Sequence, residues 1–230
     1  GVRREGGALV IGAATPYVDL LRDPDVARDL PCLREAVRTV GAPAIQSLGT
    51  LGGNLANGSP GADAVPPLLV LGARLRLASR AGVREIAADA FFTGYRATVR
   101  RDDELVAAIV VPAPAAGTRQ SFRKAGTRRA QAIAKVNLAA CARSEGAELR
   151  GVRLAAGSVG PTVILLQRTM TLLEGGRVAD LARLAAAAAA AASDEVTPID
   201  DVRSTAAYRR EVTGNLVKRF VISLGEPRIR

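Results

Sequence analysis

The residues best equipped to do chemistry lie in one stretch, TLGGNLANGSPGAD, Thr50 to Asp63. Four glycines, two asparagines, a serine and an aspartate share its fourteen positions. Glycine at that density removes side chains and lets another group approach the main chain, at an entropic cost on folding. Asn54, Asn57 and Ser59 add amide and hydroxyl groups, and Asp63 adds a carboxylate suited to the hydroxyls of a sugar or polyol. This set can recognise a polar or anionic ligand; it is not a set for nucleophilic attack. The chain has no histidine, so no His-dependent triad exists. Its two cysteines, Cys32 and Cys141, stand far apart in apolar settings, the pattern of buried packing thiols rather than of a metal, iron–sulfur or disulfide site.

Known phosphate-binding signatures do not fit the stretch. A dinucleotide loop needs GxGxxG, and GGNLANG lacks that spacing; a Walker loop needs Gly-Lys-Ser or Gly-Lys-Thr, and no lysine is present. Two readings stay open on the residues alone. One is an irregular loop whose N–H groups form a nest for phosphate or polar ring atoms. The other is a tight Gly/Asn turn with no ligand.

The flanking pattern supplies the elements that must position the stretch. Leu9–Ile11 reads as a short strand, followed by a helix start at Thr15-Pro16. Pro31–Val40 has helical spacing, Gly41-Ala42-Pro43 ends it, and Ala44–Leu48 leads into the glycines. Pro66–Leu71 reads as a short helix, with a turn at Gly72. The alternation through Arg74, Leu75, Arg76, Leu77 and Ser79 predicts a half-buried strand. A second short strand follows, then an aromatic loop with Phe91, Phe92 and Tyr95, read mainly as core filling. Leu105–Val111 is a strand closed by Pro112 and Pro114. Pro114–Gly117 is the linker candidate, dividing a mixed part (1–114) from a second part (117–230). The second part opens with three strands spaced as antiparallel partners, QSFRKAG, AIAKVNLAACARSEG and LRGVRLAAGSVGP. Three helices complete it, from VILLQRTMTLLEG, the alanine-rich DLARLAAAAAAAASDEV and TAAYRREVTGNLVKRFVISL. The fold class is α+β.

Bulk properties narrow the function. With 230 residues, 48% hydrophobic and 23% charged, the chain can bury real cores. Its net charge is +10, but 3% aromatics, no tryptophan and scattered arginines argue against a nucleic-acid partner. No apolar run reaches membrane-span length, and the start lacks signal-peptide order. A cytoplasmic protein is the expectation.

Taken in order, these motifs resemble the FAD-binding domain of the molybdenum hydroxylases, the family of xanthine dehydrogenases, carbon monoxide dehydrogenases and aldehyde oxidases. TLGGNLANGSPGAD is similar to its second cofactor loop. IGAATPYVDL, LREAVRTVGAPAIQSLGT, FFTGYRAT with DELVAAIVVP, FRKAGTRRAQAIAKVNLAA and PIDDVRSTAAYRREVTGNLVKRF resemble the surrounding segments, over nearly the whole chain. The resemblance implies a PCMH-type FAD-binding α/β domain followed by a small three-stranded antiparallel sheet with helices. It implies that Thr50, Gly52, Gly53 and Asn54 lie along FAD, that Asn57 hydrogen-bonds near it, and that Asp63 meets its hydroxyls. Val106 would pack against the flavin, and Lys135 would reach the flavin end. A cation beside the N1/C2=O edge of the isoalloxazine favours the anionic reduced ring. Arg123, Arg128 and Arg129 are candidates to meet a partner or a phosphate, or form a solvated basic loop. Asp200, Asp201, Arg203 and Tyr208 read as helix capping and packing.

The implied function is a FAD-carrying electron-transfer subunit. It would take electrons from a 2Fe–2S partner subunit, fed by a molybdenum-cofactor subunit, and pass them to NAD⁺, oxygen or another acceptor. A dimer of heterotrimers is the expected assembly. The family has a further glycine-rich loop that would stand upstream of Gly1, so the chain is expected to be part of a longer product. The alternative is a scaffold subunit of the same complex that keeps the fold without FAD.

Overall fold

The computed structural model describes residues 1–128 and 131–227. The chain opens with an antiparallel pair, β1 (Val2–Glu5) and β2 (Ala8–Gly12). Three short helices follow: α1 (Tyr17–Arg22), α2 (Pro24–Asp29) and α3 (Pro31–Arg38). Asp23 caps α2 by accepting the N–H groups of Asp25 and Val26. Pro24 and Pro31 occupy first turns, where a missing amide hydrogen costs nothing. Next come α4 (Pro43–Leu48), α5 (Leu51–Ala56) and α6 (Val65–Val70). Strands β3 (Arg74–Ser79) and β4 (Gly82–Ala87) form a hairpin, β5 (Phe92–Gly94) and β6 (Ala97–Thr98) a small ribbon, and β7 (Leu105–Pro112) closes this half.

Its five-stranded sheet has the order β1-β2-β7-β3-β4, antiparallel throughout. Alternate residues on its strands, Leu9 and Ile11, Leu75 and Leu77, Ile109 and Val111, join one apolar core with the buried faces of α1, α3, α5 and α6. That period of two is why the strands could be read from sequence.

The second sheet is built from β8 (Arg119–Ala125), β9 (Val136–Glu145), β10 (Glu148–Gly157) and β11 (Ile164–Leu165), in the order β11-β10-β9-β8. Helices α7 (Gln167–Leu173), α8 (Leu181–Glu195) and α9 (Ala206–Ser223) cover one face. On β9, Val136, Leu138, Ala140 and Ala142 point to those helices, while Ala139 and Cys141 join the first core. Both faces are buried, so LAACA, residues 138–142, reads as continuous apolar sequence. Cys32 and Cys141 are both buried and free.

Four expectations change. The glycine stretch is not a loop throughout, since Leu51–Ala56 is helical. The approach to it, Pro43–Leu48, is also a helix. The second sheet has a fourth, two-residue strand, β11, formed by residues read as the start of a helix. Val2–Glu5, not anticipated as a strand, forms the sheet edge, because its charged side chains face solvent and hide the pattern. Among the described residues no helix is long and apolar enough to cross a membrane.

Candidate functional site

The glycine stretch divides at Asn57. Its first half folds as α5, with Thr50 as N-cap, whose hydroxyl accepts the Gly53 N–H at 3.1 Å. The other first-turn amides are also engaged: Leu51 N–H donates to the Thr15 carbonyl, Gly52 N–H to that of Ala13, and Asn54 N–H to that of Thr50. The backbone nest anticipated here is therefore closed by the chain's own acceptors. Gly52 is buried, and a Cβ on it would lie 2.5 Å from the Ala13 Cβ and 2.8 Å from the Ala13 carbonyl oxygen. Its smallness lets α5 rest on the end of β2. Gly53 is exposed, and a Cβ there would meet only the Thr50 hydroxyl, at 3.0 Å.

The second half, Asn57 to Asp63, forms a wall between two adjoining clefts that share Ser59, Gly61 and Ile133. The first cleft, about 450 Å³, is lined among others by Tyr95, Arg96, Ser158, Asp201 and Arg209. The second, about 500 Å³, is lined among others by Asn54, Asn57, Asp63, Lys124 and Arg128. Each has the size of an organic-ligand site.

Asp63 is the buried charge of the second cleft. One carboxylate oxygen pairs with the Lys124 ammonium at 2.5 Å; the other accepts from the Asn137 amide at 2.9 Å. The Lys124 side chain is 8% exposed and also donates to the Thr39 carbonyl. Burial pushes the Asp63 carboxyl up from its ordinary range, against the pull of Lys124 and Asn137. Burial, with the Asp63 charge, also pushes the Tyr17 phenol up to about 12, while a hydrogen bond with the Asn54 side chain opposes this. The Asn54 carbonyl oxygen is itself buried with no hydrogen-bond partner.

In the first cleft, the buried Arg209 donates to the Ser158 carbonyl at 2.7 Å and to Asp201 at 2.6 Å. Burial works against the Asp201 charge, but the Arg203 amide and the Arg209 guanidinium outweigh it and hold the carboxyl below its usual range. The Arg209 Nε is buried with no partner. Tyr95 is two-thirds exposed, with the Arg96 guanidinium 5.9 Å from its ring centroid. Phe91 and Phe92 instead pack edge-to-face in the core.

The structure thus brings Asn54, Asn57 and Asp63 together around the second cleft. Thr50 caps α5 and Gly52 and Gly53 lie in its first turn; none of the three lines either cleft. Lys135 immediately precedes β9, half-buried, with its ammonium 5.2 Å from the Tyr208 ring centroid. Val106 lies apart, in β7 opposite Leu77, lining neither cleft. Arg123 is exposed and away from both clefts, Arg128 lines the second and donates to the Gln131 carbonyl, and Arg129 falls outside the described residues. Asp200 and Asp201 do cap backbone amides, those of Ala206 and of Arg203 and Ser204, but Asp201 and Arg203 also line the first cleft. Sequence reasoning missed Lys124, Asn137, Ser158 and Arg209. Only Lys124 carried a signal, as the lysine of the strand QSFRKAG. Among the described residues no cluster of His, Cys, Asp or Glu is placed to hold a metal ion.

Comparison with known proteins adds a second line of observation. Residues 1–114 match the family described as the FAD binding domain in molybdopterin dehydrogenase. Residues 120–224 match the CO dehydrogenase flavoprotein C-terminal domain. The carbon monoxide dehydrogenase medium chain of Hydrogenophaga pseudoflava is 35% identical, over 95% of this chain and 75% of its own length. A putative xanthine dehydrogenase FAD-binding subunit of Escherichia coli is 30% identical, over 94% of this chain and 74% of its own length. The solved carbon monoxide dehydrogenase from Hydrogenophaga pseudoflava, a form lacking the Mo-pyranopterin moiety, superposes with a TM-score of 0.91 at 33% identity, covering 95% of this chain and 75% of that one. The quinoline 2-oxidoreductase of Pseudomonas putida gives 0.90 at 27% identity, covering 98% of this chain and 78% of that one.

The residues present fit FAD. Two adjoining clefts offer length, and the unpartnered Asn54 oxygen offers an acceptor with no protein partner.

Proposed function

This chain belongs to the FAD-binding family of the molybdopterin dehydrogenases, and from that premise we propose that it is the electron-carrying flavoprotein subunit of a molybdenum hydroxylase complex. It is of the oxidoreductase class and binds FAD. When bound, FAD supplies the electron transfer, between an iron–sulfur partner and an acceptor such as NAD⁺ or oxygen. The chain itself supplies position and charge. Asp63, paired with Lys124, accepts hydrogen bonds from cofactor hydroxyls, and the free Asn54 oxygen accepts another. Asn57 adds a hydrogen bond at the mouth of the second cleft. Gly53, exposed in the first turn of α5, is where the cofactor comes closest to backbone, with Thr50 and Gly52 fixing the helix that presents it. Lys135, next in sequence to Ala134 of the first cleft, contributes a cation at the flavin end; Val106, in β7 and lining neither cleft, is left without a contact to the ring.

In this reading the 2Fe–2S clusters and the molybdenum cofactor reside on partner subunits, in a dimer of heterotrimers. The division into domains at residues 114–117 belongs to the same reading, as does a cytoplasmic location. The observation that carries it is the wall Ser59–Gly61, shared by two adjoining clefts in a chain without histidine, where bound-cofactor chemistry needs no side-chain acid or base.

Asp63→Asn tests it. FAD added to the purified protein should quench its own fluorescence to a stoichiometry of one, and the variant should bind about tenfold more weakly, the loss of one hydrogen bond to a charged group. Equal affinity in the variant removes Asp63 from the site. No binding by the unmodified protein leaves the scaffold alternative.

A further inference from the structure

Arg209 is an expensive residue. Its side chain is 6% exposed, in the first turns of α9, and burying a guanidinium costs several kcal/mol before its partners are counted. The apolar contacts of α9 come from other residues, Val217, Phe220, Val221 and Leu224. What Arg209 holds is the main chain of Ser158, with Asp201 fixing the guanidinium from the other side.

Ser158 is itself unusual. Its φ is +64°, in the left-handed region that a residue with a Cβ occupies at a cost. Each of its polar groups binds a different segment. The N–H donates to the Pro60 carbonyl at 2.8 Å, in the glycine stretch. The hydroxyl donates to the Ala134 carbonyl at 3.0 Å, before β9. The carbonyl accepts from Arg209. Pro60, Ala134, Ser158 and Arg209 all line the first cleft. On the opposite flank Arg96, also left-handed at φ +53°, donates its N–H to the Gly58 carbonyl at 3.2 Å. The stretch Gly58–Gly61 is thus gripped from two sides by strained residues, and strain persists where the surroundings over-determine it.

We propose that Asp201 and Arg209 are positioning residues for the cofactor cleft: the pair holds Ser158 left-handed and so fixes the wall that the two clefts share. The inference rests on reading these clefts as the FAD site. Lysine cannot replace Arg209, because one ammonium does not present the planar fork that reaches Ser158 and Asp201 together.

The test is a double-mutant cycle in the full-length protein with Arg209→Met and Ser158→Gly, with Arg209→Lys as a second, charge-retaining variant. The readouts are the FAD dissociation constant, the visible spectrum of the bound flavin, and the melting temperature without FAD. Glycine adopts φ +64° without penalty, so it should hold the turn when the clamp is gone. Arg209→Met is expected to weaken FAD about tenfold and shift the flavin spectrum, and in the Ser158→Gly background the same change should cost only about twofold. Arg209→Lys should show the same sign of effect. A lowered melting temperature with unchanged affinity and spectrum would overturn the proposal, since the pair would then be structural only. An equal penalty in both backgrounds would overturn it too, because Arg209 would then act on the cofactor directly. Absence of FAD binding by the unmodified protein would instead sink the reading beneath it.

Discussion

The two halves of the glycine stretch use the same residue type for different ends. From Thr50 to Ala56, glycine serves packing: Gly52 lets α5 lie on Ala13, and every first-turn amide is spent inside the chain. From Asn57 to Asp63, the backbone becomes a wall with a cleft on either side, anchored by the buried Asp63 and gripped through the Gly58 and Pro60 carbonyls. Glycine density therefore does not mark cofactor contact by itself. The surroundings decide it, and adjacent glycines can answer to different demands.

The contrast can be broken by substitution. The largest effect is expected at the anchor of the second half. Lys124→Met strands the Asp63 carboxylate in a buried site and should destabilise the protein by about 3–5 kcal/mol, read by denaturant unfolding. Adding Asp63→Asn should return a large part of that loss, because the uncompensated charge is gone. If the single and double variants are equally unstable, Asp63 is not the buried charge that Lys124 serves.

In the first half, Gly52→Ala drives a methyl group into the Ala13 backbone, and about 2–3 kcal/mol should be lost. Gly53→Ala, one residue on, should change the melting temperature of the FAD-free protein by much less, since the helix propensity of alanine offsets the 3.0 Å approach of its methyl group to the Thr50 hydroxyl. Its FAD affinity should fall about tenfold if the cofactor approaches the open face of α5. The pair separates packing glycine from contact glycine, and similar stability losses at both positions would erase the distinction.

The smallest effect lies outside both halves and serves as a control. Glu104 is held by Arg84 and by the Arg101 amide, which draw its carboxyl down to about 2. A depressed carboxyl contributes stability that is present above its unfolded value and lost as pH falls toward the folded one. Thermal stability should therefore decline between pH ~4.5 and ~2, and Glu104→Gln should flatten that decline without altering FAD affinity at neutral pH.

Much of the framework was legible because it is periodic. The alternation in Arg74–Ser79 and Leu105–Val111, the Pro-started helix at Pro31 and the long helices α8 and α9 follow from local rules that tertiary packing left intact. Helix α5 was not legible, because two glycines within six residues argue against a helix, and what makes it one is a threonine cap and a fit to Ala13. The site was legible only along the chain. Asn54, Asn57 and Asp63 could be named because they are neighbours in sequence. Lys124 and Asn137 lie 61 and 74 residues beyond Asp63, and Arg209 lies 51 beyond Ser158, separations over which no spacing rule operates. Asp201 was read as a helix cap, but it caps the turn amides of Arg203 and Ser204 ahead of α9, whose N-cap is Thr205; its role as the counter-charge of a buried arginine depends on a partner in the first turn of that helix.

The most direct test of the central claim is to purify the protein from its natural source with whatever chains accompany it, denature it, and identify the released small molecules by mass and absorbance. FAD is expected at one per copy of this chain. Partners that retain their association while the preparation yields no flavin would contradict it.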